Sequence, residues 1–240
     1  MPMKFRALRK ARNNSPRPRF PLNMKKDIDL SQWNRREHFE FFRHYDEPYH
    51  GVMVQLDCTD SYRLCQQAGA SFFLTYLHQI LRAVNETDAM RYRMESGSVV
   101  DYATIHAGPT IARADHTFGF CLIEYAPTFA PFAARAKAAM GRVRTASGLC
   151  LQETAGRNDL IFFSTLTGIA FTGLTNARRY GDSAGVPLIT VGKCVTQGNR
   201  MVMPLAVYVH HALVDGYHVQ LFLQRLEQLL REPAVAAHPN

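Results

Sequence analysis

Close to its end the chain lays down a strand, a turn and a helix without interruption, and this stretch constrains the fold most. Met201 to His211 is apolar enough for a strand, and it finishes on two adjacent histidines. Asp215 and Gly216 supply turn chemistry. From Tyr217 to Leu230, the residues Val219, Phe222, Leu223, Leu226, Leu229 and Leu230 fall on one helical face. A strand that feeds an amphipathic helix needs a sheet to join and a helical layer against that sheet. On a strand His210 and His211 point to opposite sides, so both cannot serve one site. The bland reading is a turn with one core and one surface histidine. The whole string His210-His211-Ala212-Leu213-Val214-Asp215-Gly216 favours a site, because reactive side chains are usually presented at the ends of elements.

The rest of the chain supplies the other elements. A helix is expected from Ser31 to Tyr45, with Phe39 and Phe42 at helical spacing, and a strand where Val52, Val54 and Leu56 alternate with Met53, Gln55 and Asp57. Thr59 to Ala68 reads as a short helix that Thr59 can cap and Gly69 can end. Ser71 to Asn85 is a stronger helix, with Phe73, Leu77, Ile80, Leu81 and Val84 on one face. Strand-like pieces follow at Ser98 to His106 and Thr117 to Glu124. Thr128 to Arg144 is an Ala-rich helix with Pro131 harmlessly in its first turn. The continuous apolar run from Leu160 to Thr165 fits a buried strand. Leu188 to Val195 and Met201 to His211 pair across Gln197-Gly198-Asn199 as a hairpin. About six strands and five helices, irregularly interspersed, predict an α/β two-layer sandwich, a mixed β-sheet covered by helices on one face. No strict βαβ repeat, GxGxxG or Walker-type loop is present, which argues against a Rossmann or P-loop nucleotide site.

Charge looks like a clue to a nucleic-acid partner until it is located. The 240 residues carry a formal +8, but residues 1–26 hold 9 of the 28 basic side chains and no acid. The other 214 residues hold 19 basic and 20 acidic side chains, a net of −1, so the domain itself shows no basic footprint. Residues 1–26 are expected to be a flexible arm, residues 27–231 the domain, and residues 232–240 a tail. The arm reads best as a solvated segment; nonspecific binding to an acidic surface and translation starting at Met24 are the other readings. It has no run of 7–15 apolar residues of the kind a secretory signal carries. The most apolar window, Leu160 to Gly173, is broken by Ser164, Thr165, Thr167 and Thr172 and falls short of the ~20 residues of a membrane span. Five cysteines, odd in number and without a CxxC pair, fit reduced thiols in a cytoplasmic protein and no zinc site.

The His-His-x-x-x-Asp-Gly string resembles the chloramphenicol acetyltransferase family and, more distantly, the catalytic domains of the 2-oxo-acid dehydrogenase acyltransferases. Asp29-Leu-Ser-Gln-Trp-Asn-Arg-Arg-Glu-His-Phe-Glu-Phe-Phe42 is similar to the first family's N-terminal signature, Val54-Gln-Leu-Asp57 to an early strand, and Thr196 to His211 to the strand pair leading to the motif. The resemblance spans roughly residues 27–231. It implies an acetyl-coenzyme A-dependent O-acetyltransferase that modifies chloramphenicol and confers resistance. Such chemistry needs a base for the hydroxyl proton and donors where charge develops on the carbonyl oxygen.

By the resemblance, His211 is that base, with its tautomer held by backbone, and His210 is structural. Ser164 donates to the oxyanion, and Thr190 helps bind the transition state through water. Asp215 is not a triad acid; it pairs with Arg35 and ties the first helix to the catalytic turn. Lys193 and Ser164 lie near the coenzyme, and Ser71 stands where the family can carry a lysine. Phe42, His50, Phe118, Leu151, Phe162 and Leu174 fall at or near positions lining the acceptor pocket. The assembly implied is a homotrimer with sites at subunit interfaces, with no metal, nucleic acid or membrane. Two alternatives stand beside this one: the same chemistry on a different hydroxylated small molecule, and a non-catalytic binding protein that uses its basic arm.

Overall fold

Period-two strands and period-three-to-four helices sort here into separate layers. The computed structural model describes residues 24–179, 181 and 184–232, so most of the basic arm and of the terminal tail lie outside the described residues. In chain order the elements are β1 (Lys25–Asp27), α1 (Arg36–Phe42), β2 (Tyr49–Asp57), α2 (Thr59–Ala68), α3 (Phe72–Asn85), α4 (Asp88–Arg91), β3 (Tyr92–Glu95), β4 (Ser98–Tyr102), β5 (His106–Ala112), β6 (Phe118–Phe120), α5 (Phe129–Thr145), a 3-10 turn at Leu151–Glu153, β7 (Leu160–Leu166), β8 (Leu188–Gly192), β9 (Val195–Gln197), β10 (Arg200–His210) and α6 (Gly216–Arg231).

The main sheet runs β2-β10-β8-β7-β5-β6, with β9 also on β10. The β2–β10–β8 pairs and the β5–β6 pair are antiparallel, while β7 lies parallel to both β5 and β8. The sheet is therefore mixed, and with helices packed on one of its faces it makes a two-layer α/β sandwich. One face of the sheet, with Ile161, Phe163, Ile189, Val191, Leu205, Val207 and Val209, packs on Leu77, Ile80, Leu81, Phe132, Phe222 and Leu226 of the helices. The other face carries Met53, Tyr208, Thr190 and Ser164, which share a side because their Cα atoms pair across the ladders.

Local chemistry sets the helix ends. Ser71 caps α3 by accepting from the Leu74 N–H, and Gly69 ends α2 in the left-handed conformation. Asp215 caps α6 in a full capping box with His218. Helix α3 is buried almost all round, so its polar side chains need partners: Gln79 donates to Ser61 Oγ and the Leu229 carbonyl, and His78 bonds the Ala126 carbonyl.

Several expectations need correction. Helix α1 begins at Arg36, not Ser31, because Asp29 accepts from both the backbone N–H and the hydroxyl of Ser31 and holds that segment as a turn. Thr59 does not cap α2; it is the first helical residue, and the Asp57 carboxylate receives its N–H and hydroxyl. The strand expected from Ser98 to His106 divides between β4 and β5, and the one from Thr117 to Glu124 shortens to β6. Lys25 and Lys26, on the arm side of the expected boundary, pair with Tyr102 and Asp101 of β4.

Candidate active site

Strand β10 delivers both histidines to one corner and separates them. His210 is buried, accepts from the Ala212 N–H at 3.2 Å, and meets Tyr49 edge-on at 5.2 Å. Burial, reinforced by Arg178 and His211 nearby, pushes its pKa down to about 4, so it is a neutral structural group. His211 lies half-exposed on the opposite side of the backbone, its N–H bonded to the Pro48 carbonyl at 2.9 Å. Its ring stacks on Phe42 at 3.9 Å and 6°, and His50 lies 4.6 Å away. His50 bonds the Val214 carbonyl at 3.1 Å, and burial lowers its pKa, so it adds no charge beside His211. The backbone contact expected for the His211 tautomer is not made: Nδ1 is buried without a hydrogen-bond partner among the described residues.

Asp215 does not touch His211. It forms an ion pair with Arg35, receives the Tyr217 and His218 N–H groups, and bonds His218 Nδ1 at 2.7 Å. Burial alone would raise its pKa; the Arg35 guanidinium and His218 outweigh it and hold the carboxyl down to about 2. The Arg35–Asp215 pair thus joins the residues that precede α1 and α6. His218 is the member of this cluster that sequence reasoning missed, although it stands three residues after a capping aspartate.

A second group forms on the other face of the sheet. Ser164 and Thr190 are register partners on parallel β7 and β8, with their hydroxyls 2.9 Å apart. Both line a cavity of about 350 Å³ together with Phe162, Leu188, Thr110, Phe120 and Tyr49. Arg178 lies against the same cavity, paired with Glu47 and 4.0 Å over the Tyr49 ring. Tyr49, Phe120 and Arg178 were not anticipated. The period of two from Phe118 would have pointed to Phe120, and the Arg178–Arg179 doublet was the signal for the other wall.

The six acceptor candidates do not converge within one chain. Phe42 and His50 surround His211, and Phe162 lines the cavity. Leu174 takes the Tyr208 hydroxyl on its carbonyl and donates its N–H to Met53 Sδ at 3.2 Å. Phe118 and Leu151 are exposed outside the cavity lining, Phe118 in edge contact with Phe120 at 5.8 Å. Lys193 is exposed just past β8, and Ser71 is used as a helix cap. Ser164 is level with Ala206 on β10, five residues before His211 and two strands away. At about 3.3 Å per residue and about 4.8 Å per strand, the two backbone positions are roughly 19 Å apart in one chain. No cluster of three metal-binding side chains occurs among the described residues, and none of their helices is long and apolar enough to cross a membrane.

This sheet, with its helices on one face and the histidine pair at the end of β10, beside the edge strand β2, has an acetyltransferase architecture. The dihydrolipoamide acetyltransferase of Azotobacter vinelandii shares it at a TM-score of 0.57 over 82% of this chain and 86% of that one; at 20% identity the likeness is one of fold. The family model described as chloramphenicol acetyltransferase matches residues 22–227, and the chain belongs to that family. A chloramphenicol acetyltransferase of Klebsiella is 29% identical over 212 residues, covering 85% of this chain and 93% of the relative. Chloramphenicol acetyltransferase 3 of Escherichia coli is 28% identical over 204 residues, covering 84% and 95%. A solved chloramphenicol acetyltransferase is 32% identical, at a TM-score of 0.80 over 86% of this chain and all of that one.

Proposed function

We propose that this chain transfers the acetyl group of acetyl-coenzyme A to a hydroxyl of chloramphenicol and so confers resistance. The observation that carries the reading is the division of the chemistry between two places: a half-exposed imidazole on an aromatic stack, and a hydroxyl pair opening on a largely apolar cavity. Nδ1 of His211 is buried, so Nε2 is the nitrogen left to take the proton of the acceptor hydroxyl. As the proton arrives, the Phe42 face stabilises the imidazolium. Ser164, positioned by Thr190, donates to the oxygen on which charge develops. Coenzyme A supplies the acetyl group as a thioester, with Lys193 and Ser164 beside it and Phe162 packing the acceptor.

The separation within one chain makes assembly part of the proposal. His211 of one copy meets Ser164 and Thr190 of the next, and a ring of three copies closes three such sites. The test is release of coenzyme A thiol when the purified protein is mixed with acetyl-coenzyme A and chloramphenicol. Turnover that disappears in His211→Ala is expected. A folded wild-type protein that acetylates other hydroxylated acceptors but never chloramphenicol would replace this substrate, and no turnover with any acceptor would remove the enzymatic reading.

A further inference from the structure

Two of the five cysteines are hydrogen-bonded to one another. Cys58 follows β2 directly and precedes α2; Cys194 lies in the break between β8 and β9. They are 136 residues apart in sequence, yet their Sγ atoms are 3.3 Å apart. Strand β10 brings them together, because β2 pairs along one of its edges and β8 and β9 along the other. Cys58 is fully buried and Cys194 half-buried. No other pair of sulfurs is hydrogen-bonded among the described residues; Cys65, for example, donates to Thr75 Oγ1 instead.

We propose that Cys58 and Cys194 are a reversible disulfide site, oxidised by exchange with a low-molecular-weight disulfide such as oxidised glutathione. Entry is at Cys194, the partner that solvent reaches. Its thiolate attacks one sulfur of oxidised glutathione, forming a mixed disulfide and expelling one glutathione thiolate. The Cys58 thiol then loses its proton to solvent and attacks Cys194 Sγ, closing the protein disulfide and expelling the second glutathione. Two protein thiols are oxidised and one glutathione disulfide is reduced to two thiols. The contact between the two sulfurs lowers the Cys194 pKa and favours the entry step; that same contact and burial raise the pKa of Cys58, which makes the second step the slower one.

Closing the bond requires the sulfurs to approach from 3.3 Å to about 2.05 Å. Cys58 is tied to β10 by its N–H on the Met201 carbonyl, whereas residues 193 and 194 stand outside the strand ladders, so Cys194 moves. The neighbouring Lys193, whose N–H is bonded to the Ile169 carbonyl, moves with it. Oxidation therefore adjusts the link that follows the Thr190 strand, and it cross-links a 136-residue stretch of chain, which stabilises the fold.

The test is thiol titration of the full folded chain after incubation with oxidised glutathione, with peptide mapping of the product. Two of the five thiols are expected to disappear and to return on reduction, in a peptide pair containing Cys58 and Cys194, with a rise in Tm for the oxidised form. Cys194→Ser and Cys58→Ser should each abolish the cross-link, the first leaving no mixed disulfide and the second leaving glutathione on Cys194. Retention of all five thiols by the wild type, a persistent mixed disulfide at Cys194, or a cross-link between other cysteines would each overturn the proposal.

Discussion

The His211 corner and the Ser164–Thr190 pair lie on one sheet and are built by different physics. At the corner, an antiparallel strand runs out and an aromatic stack holds the imidazole, while nearby charges are neutralised elsewhere: His50 and His210 by burial, Asp215 by Arg35. In the other region two parallel strands align two hydroxyls by register alone, on the face that the helices leave uncovered. The first joins residues far apart in the chain, Arg35 with Asp215 and His50 with Val214, whereas the second joins two neighbouring strands 26 residues apart. The difference teaches that strand register separates the two groups by roughly 19 Å within one chain, and under the proposed function a second copy would bring them together.

The largest effect expected on this division is from His211→Ala. Removing the base should lower kcat by about 10²–10⁴-fold with Tm nearly unchanged, since the ring is half-exposed and its N–H contact is backbone. Steady-state thiol release and thermal melting check both parts. Ser164→Ala should follow at about 10²–10³-fold in kcat. Unfolding these two inactive variants together and refolding the mixture sharpens the comparison: hybrid assemblies should regain activity, because an intact histidine then faces an intact serine from the other chain. A mixture that stays as inactive as its components would show that both groups act within one chain.

Asp215→Asn should act on stability before chemistry. It leaves Arg35, only 8% exposed, facing a neutral amide. The expected cost is about 1–3 kcal/mol, below that of a fully buried pair because the Asp215 side chain is 28% exposed. The pH dependence has a definite sign. Its carboxyl is held near about 2, against an ordinary 3.8, so on acidification the unfolded chain takes up this proton first. The stabilisation is complete above the ordinary value and is lost as pH falls from about 4 toward about 2. Melting curves of wild type and Asp215→Asn should therefore converge across that window; a constant gap would show that the pair does not carry the difference. Smallest is Phe42→Leu, which keeps an apolar contact but removes the aromatic face. It should reduce kcat less than tenfold, in keeping with the roughly 0.5–2 kcal/mol of a cation on an aromatic ring, with KM for acetyl-coenzyme A unchanged.

How far the site could be read from the chain depends on the range of each interaction. Helices α3 and α6 were legible because the apolar residues that define each face lie within a few positions of one another, whereas the capping roles of Ser71 and Asp215 came from the structure. Strand β3 was not, since Arg93 looks like a surface residue. It is in fact fully buried, donating to the carbonyls of Met90, Tyr92, Asn158 and Leu160. Ser164 was nameable only through a family likeness. Its partner Thr190 is 26 residues away, and nothing local to β7 distinguishes that hydroxyl from one bonded to a neighbouring carbonyl.

Sequence alone determined the strand-turn-helix that carries His210 and His211, the opposite facing of those two residues, the neutral charge of the domain and the layered α/β class, because each follows from periodicity or from chemistry between near neighbours. Tertiary structure alone decided that Arg35 meets Asp215 across 180 residues, that Cys58 meets Cys194, that Phe42 stacks on the imidazole, and that the serine and histidine stand apart. Those are outcomes of strand order and register. A period of two says which way a side chain faces, but not which strand will lie beside it.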